Sequence, residues 1–429
     1  MLIEFKVKNF RSIRDEQTFS LVAGKADKNL PECLIDKNLK GLSGIQYLKG
    51  AAIYGANASG KTNVMQALRF LADFVRRSAT KVQPGDQTGV QPYKLDQSSI
   101  TQASEFEVTF ETQGTRYLYG IALTTERVIE EYLYAYPKGL PQSWCHRTYN
   151  DSTKNFEWEK PSTAFKTDKK LQDYTKENTL FLSVGAQWNH EQLTNVFNWF
   201  KNDLRFVHLS ANDFGLSPSF TAKQLADPEI HHRIVSLLQN ADFGISEANT
   251  KEQEVEYRKG LDIGLGALDV EQNKESKKRT KLVINLVHQS AAGEPIFMDF
   301  DSEESAGTRR FFSLIGPWLD ILDNGYTVFI DEIDTSLHPL LVRELLKLLF
   351  CKKNNPLGAQ VIFTTHNPVF LDQTLIRRDQ VWFTEKNEQG ATLLYPLTDY
   401  KPRDKEALSK RYLAGVYGAI PDLAEGLKL

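Results

Sequence analysis

Apolar and charged residues alternate from the start of the chain. Ile3, Phe5 and Val7 are separated by Glu4, Lys6 and Lys8, a period of two that predicts an opening strand with one buried face. In "YLKGAAIYGANASGKTNVMQALRFLADFVRR" a short apolar strand passes through a glycine-bearing turn into a run where Val64, Leu68, Leu71 and Val75 recur at helical spacing. The order is strand, loop, helix. Over residues 105–136 alternation returns with Phe106, Val108 and Phe110, a "QGT" turn, then Tyr117, Tyr119, Ile121 and Leu123. This predicts an antiparallel meander, extended by "SWCHRTYNDSTKNFEWEK" with "YNDS" as a further turn.

Between residues 167 and 250 the pattern becomes helical and more polar, as in "QLTNVFNWFKNDL" and "PEIHHRIVSLLQNADFG", and reads as a helical insertion. The charged stretch from "EVEYRKG" through "EQNKESKKRTK" reads as a loop at its edge, before a strand "LVINLVHQ". The last third returns to α/β order, with "YTVFIDE" and "AQVIFTTHN" as buried strands around a helix "PLLVRELLKLLF". No internal repeat or low-complexity tract interrupts this.

Composition narrows the class. With 429 residues the chain can bury a large core in two or three lobes. A net charge of −3 provides no overall field for nucleic acid, so DNA binding would need a local basic patch. Cys33, Cys145 and Cys351 form no CxxC pair, which argues for a reducing compartment and against zinc. No segment approaches the roughly 20 apolar residues that cross a bilayer. The expectation is a cytoplasmic protein without membrane contact.

Four elements carry chemistry. Gly55-Ala56-Asn57-Ala58-Ser59-Gly60-Lys61-Thr62 satisfies GxxxxGK[ST] between a strand and a helix. Its backbone N–H groups would cradle the phosphates of ATP, Lys61 would add a charge, and Thr62 would offer a hydroxyl to Mg2+. "GYTVFIDEID" ends an apolar strand on Asp331 and Glu332, where α/β folds place ligand chemistry, although the pair alone also reads as an acidic turn. In a P-loop protein Asp331 would hold magnesium and Glu332 would orient the attacking water. His366 ends the next buried strand; a lone histidine there is commonly structural, but one strand after the acids its imidazole could reach a γ-phosphate. Finally, Ser305-Ala306-Gly307-Thr308 opens an apolar-periodic run and reads either as an ordinary N-cap or as an anion-binding helix start. Arg309 and Arg310, just beyond, read as surface charges or as charge beside that site.

In this order the four elements resemble the ABC-type ATPase head, in the branch shared by SMC and RecF proteins. The resemblance implies an α/β fold: an ABC-type P-loop NTPase head with an antiparallel β subdomain and a helical insertion. It makes "ESAGT" a divergent signature motif through Ser305 and Gly307, Glu332 the catalytic carboxylate, Asp334 of "IDTSLHP" the D-loop residue and His366 the switch histidine. "FKVKNFRSI" looks like the branch's first strand, and Gln91 is the candidate Q-loop residue. "TSLHP", "THN" and "RYLAGVYGAIP" resemble the OLD-like family of AAA-type bacterial ATPases more closely still. The resemblance covers both ends and is poor over residues 137–290. It divides the chain into a first ATPase lobe with the phosphate loop and meander (1–136), a β extension and helical insertion for oligomer or partner contacts (137–290), and a second ATPase lobe (291–429).

The resemblance also implies that the signature serine of one subunit completes the phosphate site of another. ATP would then join two heads head to tail, in a dimer or a higher homo-oligomer. OLD proteins carry a Toprim nuclease domain after the ATPase; the tail beyond His366 is too short for one here. The expected function is an ATP-hydrolysing switch or scaffold of an antiphage, abortive-infection system, with a phage-derived trigger and a separate effector such as a Toprim nuclease. The alternatives are a RecF-like repair ATPase holding DNA across the joined heads, and an interaction protein that binds ATP and barely turns it over.

Overall fold

The computed structural model describes residues 1–208, 217–241, 243–257, 277–335 and 337–421. The chain forms two compact units. One comprises Met1–Ala211, Ile321–Thr335 and Pro339–Leu429, the other Asn212–Asp320 with Ser336–His338. The breaks predicted after residues 136 and 290 therefore do not coincide with the boundaries of these units.

The first unit holds two sheets. An antiparallel sheet contains β1 (Leu2–Lys8), β2 (Gln17–Ser20), β6 (Ser104–Thr112), β7 (Thr115–Leu123), β8 (Val128–Tyr136), β9 (Gln142–Asn150) and β10 (Asn155–Trp158), in the order β10-β9-β8-β7-β6-β1-β2. The second contains β5 (Gly50–Gly55), β11 (Leu204–His208), β15 (Thr327–Asp331), β16 (Gln360–Thr364), β17 (Val381–Lys386) and β18 (Thr392–Pro396), in the order β11-β15-β16-β5-β17-β18. All its pairings are parallel except β17 with β18. A two-stranded ribbon, β3 (Leu34–Ile35) and β4 (Tyr47–Leu48), precedes β5. Helices α1 (Lys61–Lys81), α2 (Gln97–Thr101), α3 (Lys169–Tyr174), α4 (Phe181–Gln187), α5 (Glu191–Asn198), α9 (Pro339–Phe350) and α10 (Leu408–Leu413) complete the unit.

The predicted meander is present, and its "QGT" turn is a two-residue hairpin with Gln113 and Gly114 both at positive φ, 50° and 76°. One buried cluster joins its inner face (Phe5, Phe106, Phe110) to Val64, Leu68, Leu71 and Val75 of α1. Trp199 stacks on Phe110 at 4.0 Å between centroids. The two sheets are pinned together by the amide of Gln360, which is fully buried. Its oxygen accepts from Leu2 N (2.7 Å) and Thr327 Oγ1 (3.0 Å), and its nitrogen donates to Leu2 O and Leu48 O (both 3.0 Å). Every hydrogen-bonding position of that amide is used, so the cost of its desolvation is offset.

The predicted helical insertion needs correction. Its α3, α4 and α5 belong to the first unit, and "LRFVH" is β11, a parallel strand against β15. A five-residue strand pairing across more than a hundred residues leaves no local periodic signal. The second unit carries α6 (Pro218–Gln224), α7 (Pro228–Asn240), most of α8 (Ala306–Asn324) and a sheet in the order β12 (Ile245–Tyr257), β13 (Lys277–Gln289), β14 (Pro295–Asp299). The predicted charged loop is thus strand at both ends, with Glu254 in register with Thr280 and Glu256 with Lys278; residues 258–276 lie outside the described residues. Charged residues on both strands hid the ladder, because alternation shows only where one face is apolar. In α8 the hydroxyl of Thr221 enters the helical ladder, accepting from Gly316 N (3.2 Å) and donating to Phe312 O (2.9 Å). It serves the backbone groups beside Pro317, which has no N–H of its own.

A buried ion pair ties the meander to the helices behind α1. Glu131 accepts from Arg147 Nε (2.9 Å), Tyr119 OH (3.0 Å), Phe181 N (2.8 Å) and Leu182 N (3.0 Å), the last two at the start of α4. Ser183 of α4 in turn donates to Val75 O of α1 at 2.6 Å. Removing one member of a buried pair leaves the other charge uncompensated. Glu131→Ala is expected to lower stability by about 3 to 5 kcal/mol, measured as a shift of the urea midpoint at unchanged slope.

Candidate functional site

β5 ends at Gly55 and α1 begins at Lys61, and the loop between them crosses left-handed backbone at Ala58 (φ 62°) and Gly60 (φ 110°). A Cβ on Gly60 would lie 2.1 Å from Thr392 Oγ1, and one on Gly55 2.4 Å from both Ser59 Oγ and Thr384 Oγ1. These close approaches require glycine. Asn57 and Ala58 form the exposed crest, while Ser59 and Lys61 are buried and Ala56 and Gly60 intermediate.

Hydroxyl groups brace the loop from below. Ser59 Oγ meets Thr384 Oγ1 at 2.7 Å, Thr392 Oγ1 donates to Ser59 O at 2.9 Å, and Ser12 Oγ contacts both Thr392 Oγ1 (2.8 Å) and Asn63 Nδ2 (2.6 Å). Sequence reasoning missed Ser12, in a turn, and Thr384 and Thr392, on strands, since isolated hydroxyls follow no spacing rule.

Lys61 Nζ donates to Gly55 O (2.8 Å) and Ala56 O (3.0 Å) and lies 3.5 Å from His366 Nδ1. Burial lowers its pKa to about 8, against the opposing pull of Asp331 and Glu332. Thr62 Oγ1 donates to Asp331 Oδ2 and Oδ1 at 3.0 and 3.3 Å. The loop and the acidic strand therefore meet. Two hard oxygen donors from different elements suit a magnesium ion that takes its remaining ligands from phosphate and water. Among the described residues no group of three or more His, Cys, Asp or Glu side chains could hold a metal by itself.

Thr364, fully buried at the end of β16, was also missed. Its hydroxyl donates to Asp331 Oδ1 (2.6 Å) and accepts from Glu332 N (2.7 Å), so one oxygen fixes the Asp331 carboxylate and the backbone of Glu332. Glu332 sits at φ 52°, left-handed backbone that costs a side-chain residue about 1 to 2 kcal/mol. Thr335 Oγ1 approaches Glu332 Oε2 at 3.3 Å, and Thr365 Oγ1 donates to Asp334 Oδ1 at 2.9 Å. His366 is exposed beside Lys61; partial desolvation and then the Lys61 charge lower its pKa, which favours the neutral imidazole.

Ser305 and Gly307 are in the second unit, where Ser305 Oγ caps α8 by accepting from Thr308 N at 3.1 Å. Arg309 Nη1 donates to Asp301 O at 2.8 Å, and Arg310 is half-buried. Gln91 is exposed and its carbonyl accepts from Arg11 N at 2.7 Å.

A phosphate loop against two acids at the carboxyl ends of a parallel sheet defines a P-loop nucleoside triphosphatase. Residues 51–372 match the family described as "AAA domain, putative AbiEii toxin, Type IV TA system", and the chain belongs to that family. It is an AAA-type ATPase. A Helicobacter pylori protein named ATP/GTP phosphatase is 21% identical over 358 residues, spanning 80% of this chain and 87% of that protein. Among solved structures, the SMC head domain from Thermotoga maritima aligns with TM-score 0.40 at 12% identity, over 92% of this chain and 98% of that one. An Smc head domain bound to the C-terminal domain of ScpA, from Pyrococcus furiosus, gives 0.43 at 11% identity over 97% and 99%. At TM-scores this low the likeness adds nothing to the topology. No helix among the described residues is long and apolar enough to cross a membrane.

Thr364→Val removes a buried hydrogen bond to a charged group, worth about 1.5 to 3 kcal/mol. Steady-state ATP hydrolysis is expected to fall roughly ten- to hundredfold, while Thr364→Ser keeps most of the rate. The Lys61 value fixes a second expectation. Lys61 is charged below about pH 8 and neutral above it, so ATP affinity should be flat below that pH and weaken by up to about tenfold per unit above it. Titration with a fluorescent ATP analogue across pH 6.5 to 9.5 (roughly the window around that value) measures this, with Lys61→Arg, which stays charged throughout, losing the pH dependence.

Proposed function

We propose that this chain is an ATP-driven switch in an abortive-infection defence system, of the OLD-like kind, holding or releasing a separate toxic effector such as a Toprim nuclease. The observation that carries this reading is the family match over residues 51–372, whose description names an abortive-infection toxin and a toxin–antitoxin system. The name of the Helicobacter pylori relative supports nucleotide hydrolysis by the same site.

In this reading phosphate replaces the Gly55 and Ala56 carbonyls as the partner of Lys61. Thr62 and Asp331 hold magnesium, which when bound neutralises phosphate charge. Glu332, its backbone N–H fixed by Thr364, takes the proton of the attacking water. His366, held neutral, lies where it can hydrogen-bond the departing phosphate without repelling Lys61. The exposed Ser305 and the half-buried Gly307 at the start of α8 serve the phosphates of a second copy, so that nucleotide joins two chains head to tail. Joining and release then set the effector's state, with Asp334 beside the shared site.

Glu332→Gln is expected to keep ATP binding and lose hydrolysis by about a hundredfold or more. Lys61→Ala should lose binding. Both should abolish protection in a phage-infection assay in cells carrying the neighbouring genes, and full protection from both variants would sink the switch.

A further inference from the structure

A hollow of about 1100 Å³ on the first unit lies between the start of α9, the segment following His366 and the approach to α10; no phosphate-loop residue lines it. Buried Leu371 and Leu408 line it beside Leu340 and Val369, which are 60% and 42% exposed. Its acids are already engaged: Asp372 pairs with Arg343 (2.9 Å), Asp404 with Arg378 (2.9 Å) and Glu406 with Arg411 (2.7 Å). Its two lysines, Lys405 and Lys410, are exposed, and neither makes an ion pair among the described residues. The surrounding stretch "KPRDKEALSKR" holds five basic residues against two acids, in a chain whose net charge is −3.

Unpaired positive charge beside exposed aliphatic side chains is complementary to a segment that is acidic on one side and apolar on the other. A nucleic-acid backbone would satisfy the lysines and leave Leu340 and Val369 in water. The hollow is also wired to the catalytic loop. The Ser409 hydroxyl reaches Pro368 O (2.8 Å) and Leu371 O (2.9 Å), just after His366. On the other side Tyr412 of α10 packs edge-on to Tyr54, whose hydroxyl donates to Asn367 O at 3.2 Å and whose neighbour is Gly55.

We propose that this hollow docks an acidic amphipathic segment of a separate protein, and that its occupation changes the rate of ATP turnover by moving α10 against the His366 loop. The docking is independent of the defence reading, and needs only that the chain hydrolyse ATP.

The test uses a library of random displayed peptides, panned on the full chain and counter-selected on a Lys405→Glu, Lys410→Glu double variant. Both lysines are exposed, so the variant should unfold at the wild-type temperature and hydrolyse ATP at the wild-type rate. Enriched peptides should combine Asp or Glu with aliphatic residues and bind the wild type at least about tenfold more tightly than the variant. At saturation they should alter the hydrolysis rate, and Ser409→Ala should keep binding while losing that response. Enrichment of basic peptides, no enrichment, or equal affinity for the variant overturns the docking site. So does a double variant that loses duplex-DNA binding or self-association instead. An unchanged rate at saturating peptide overturns the coupling. An infection assay unaffected by Glu332→Gln would remove the defence reading and leave these outcomes untouched.

Discussion

Neighbouring strands of a sheet stand about 4.8 Å apart, and in this protein a whole strand separates the phosphate loop from its acids. β16 lies between β5 and β15, so the ends of the outer two are about 10 Å apart, too far for a loop and a carboxylate to meet unaided. Two threonines close that gap. Thr62 reaches inward from the first turn of α1, Thr364 rises from the end of β16, and both bond Asp331. The same strand is tied at its other end by Gln360 to Leu2 of β1. β16 therefore joins the antiparallel sheet to the site, and carries Thr364, Thr365 and His366 just where its last pairing ends.

The hydroxyls under the phosphate loop and the Glu131 carboxylate are stable in the interior because each is answered. Ser59, Thr384, Thr392 and Ser12 form a chain of hydroxyls under the loop, and Glu131 is met by Arg147, a tyrosine and two helix N–H groups. Lys61 stands apart. Its ammonium rests on two carbonyls of its own loop, and desolvation lowers its pKa towards neutrality. A desolvated cation near its titration point gains more from an incoming phosphate than a solvated surface lysine would. The left-handed Glu332 is a second store of local cost, its backbone N–H held by the Thr364 hydroxyl.

Much of this was legible because it is local. GxxxxGK[ST], the Asp331–Glu332 end of an apolar strand, the alternating meander and the Ser305 cap are each read within a few residues, and the structure brings Lys61, Thr62, Asp331, Glu332 and His366 into one cluster. What was not legible is of two kinds. β11 and the β12–β13 ladder lack the apolar period that marks a strand, the first because it is a short edge strand, the second because its residues are charged. Thr364, Thr384, Thr392 and Ser12 lack any pattern at all.

The sequence by itself determined which residues are the candidates for chemistry, because glycines at fixed positions, a following lysine and hydroxyl, and paired acids after an apolar strand are requirements of backbone geometry and charge that hold in any fold. The tertiary structure alone decided strand order, and with it everything that depends on distance. It placed β16 between the loop and the acids, making a threonine rather than a recognised motif residue the group that bonds both the Asp331 carboxylate and the Glu332 backbone. It also set the break between the compact units at residue 211 instead of 136, since hydrogen-bond pairing between β11 and β15 joins segments far apart in the chain. Pairing of that kind depends on which backbones meet in space, and no local period encodes it.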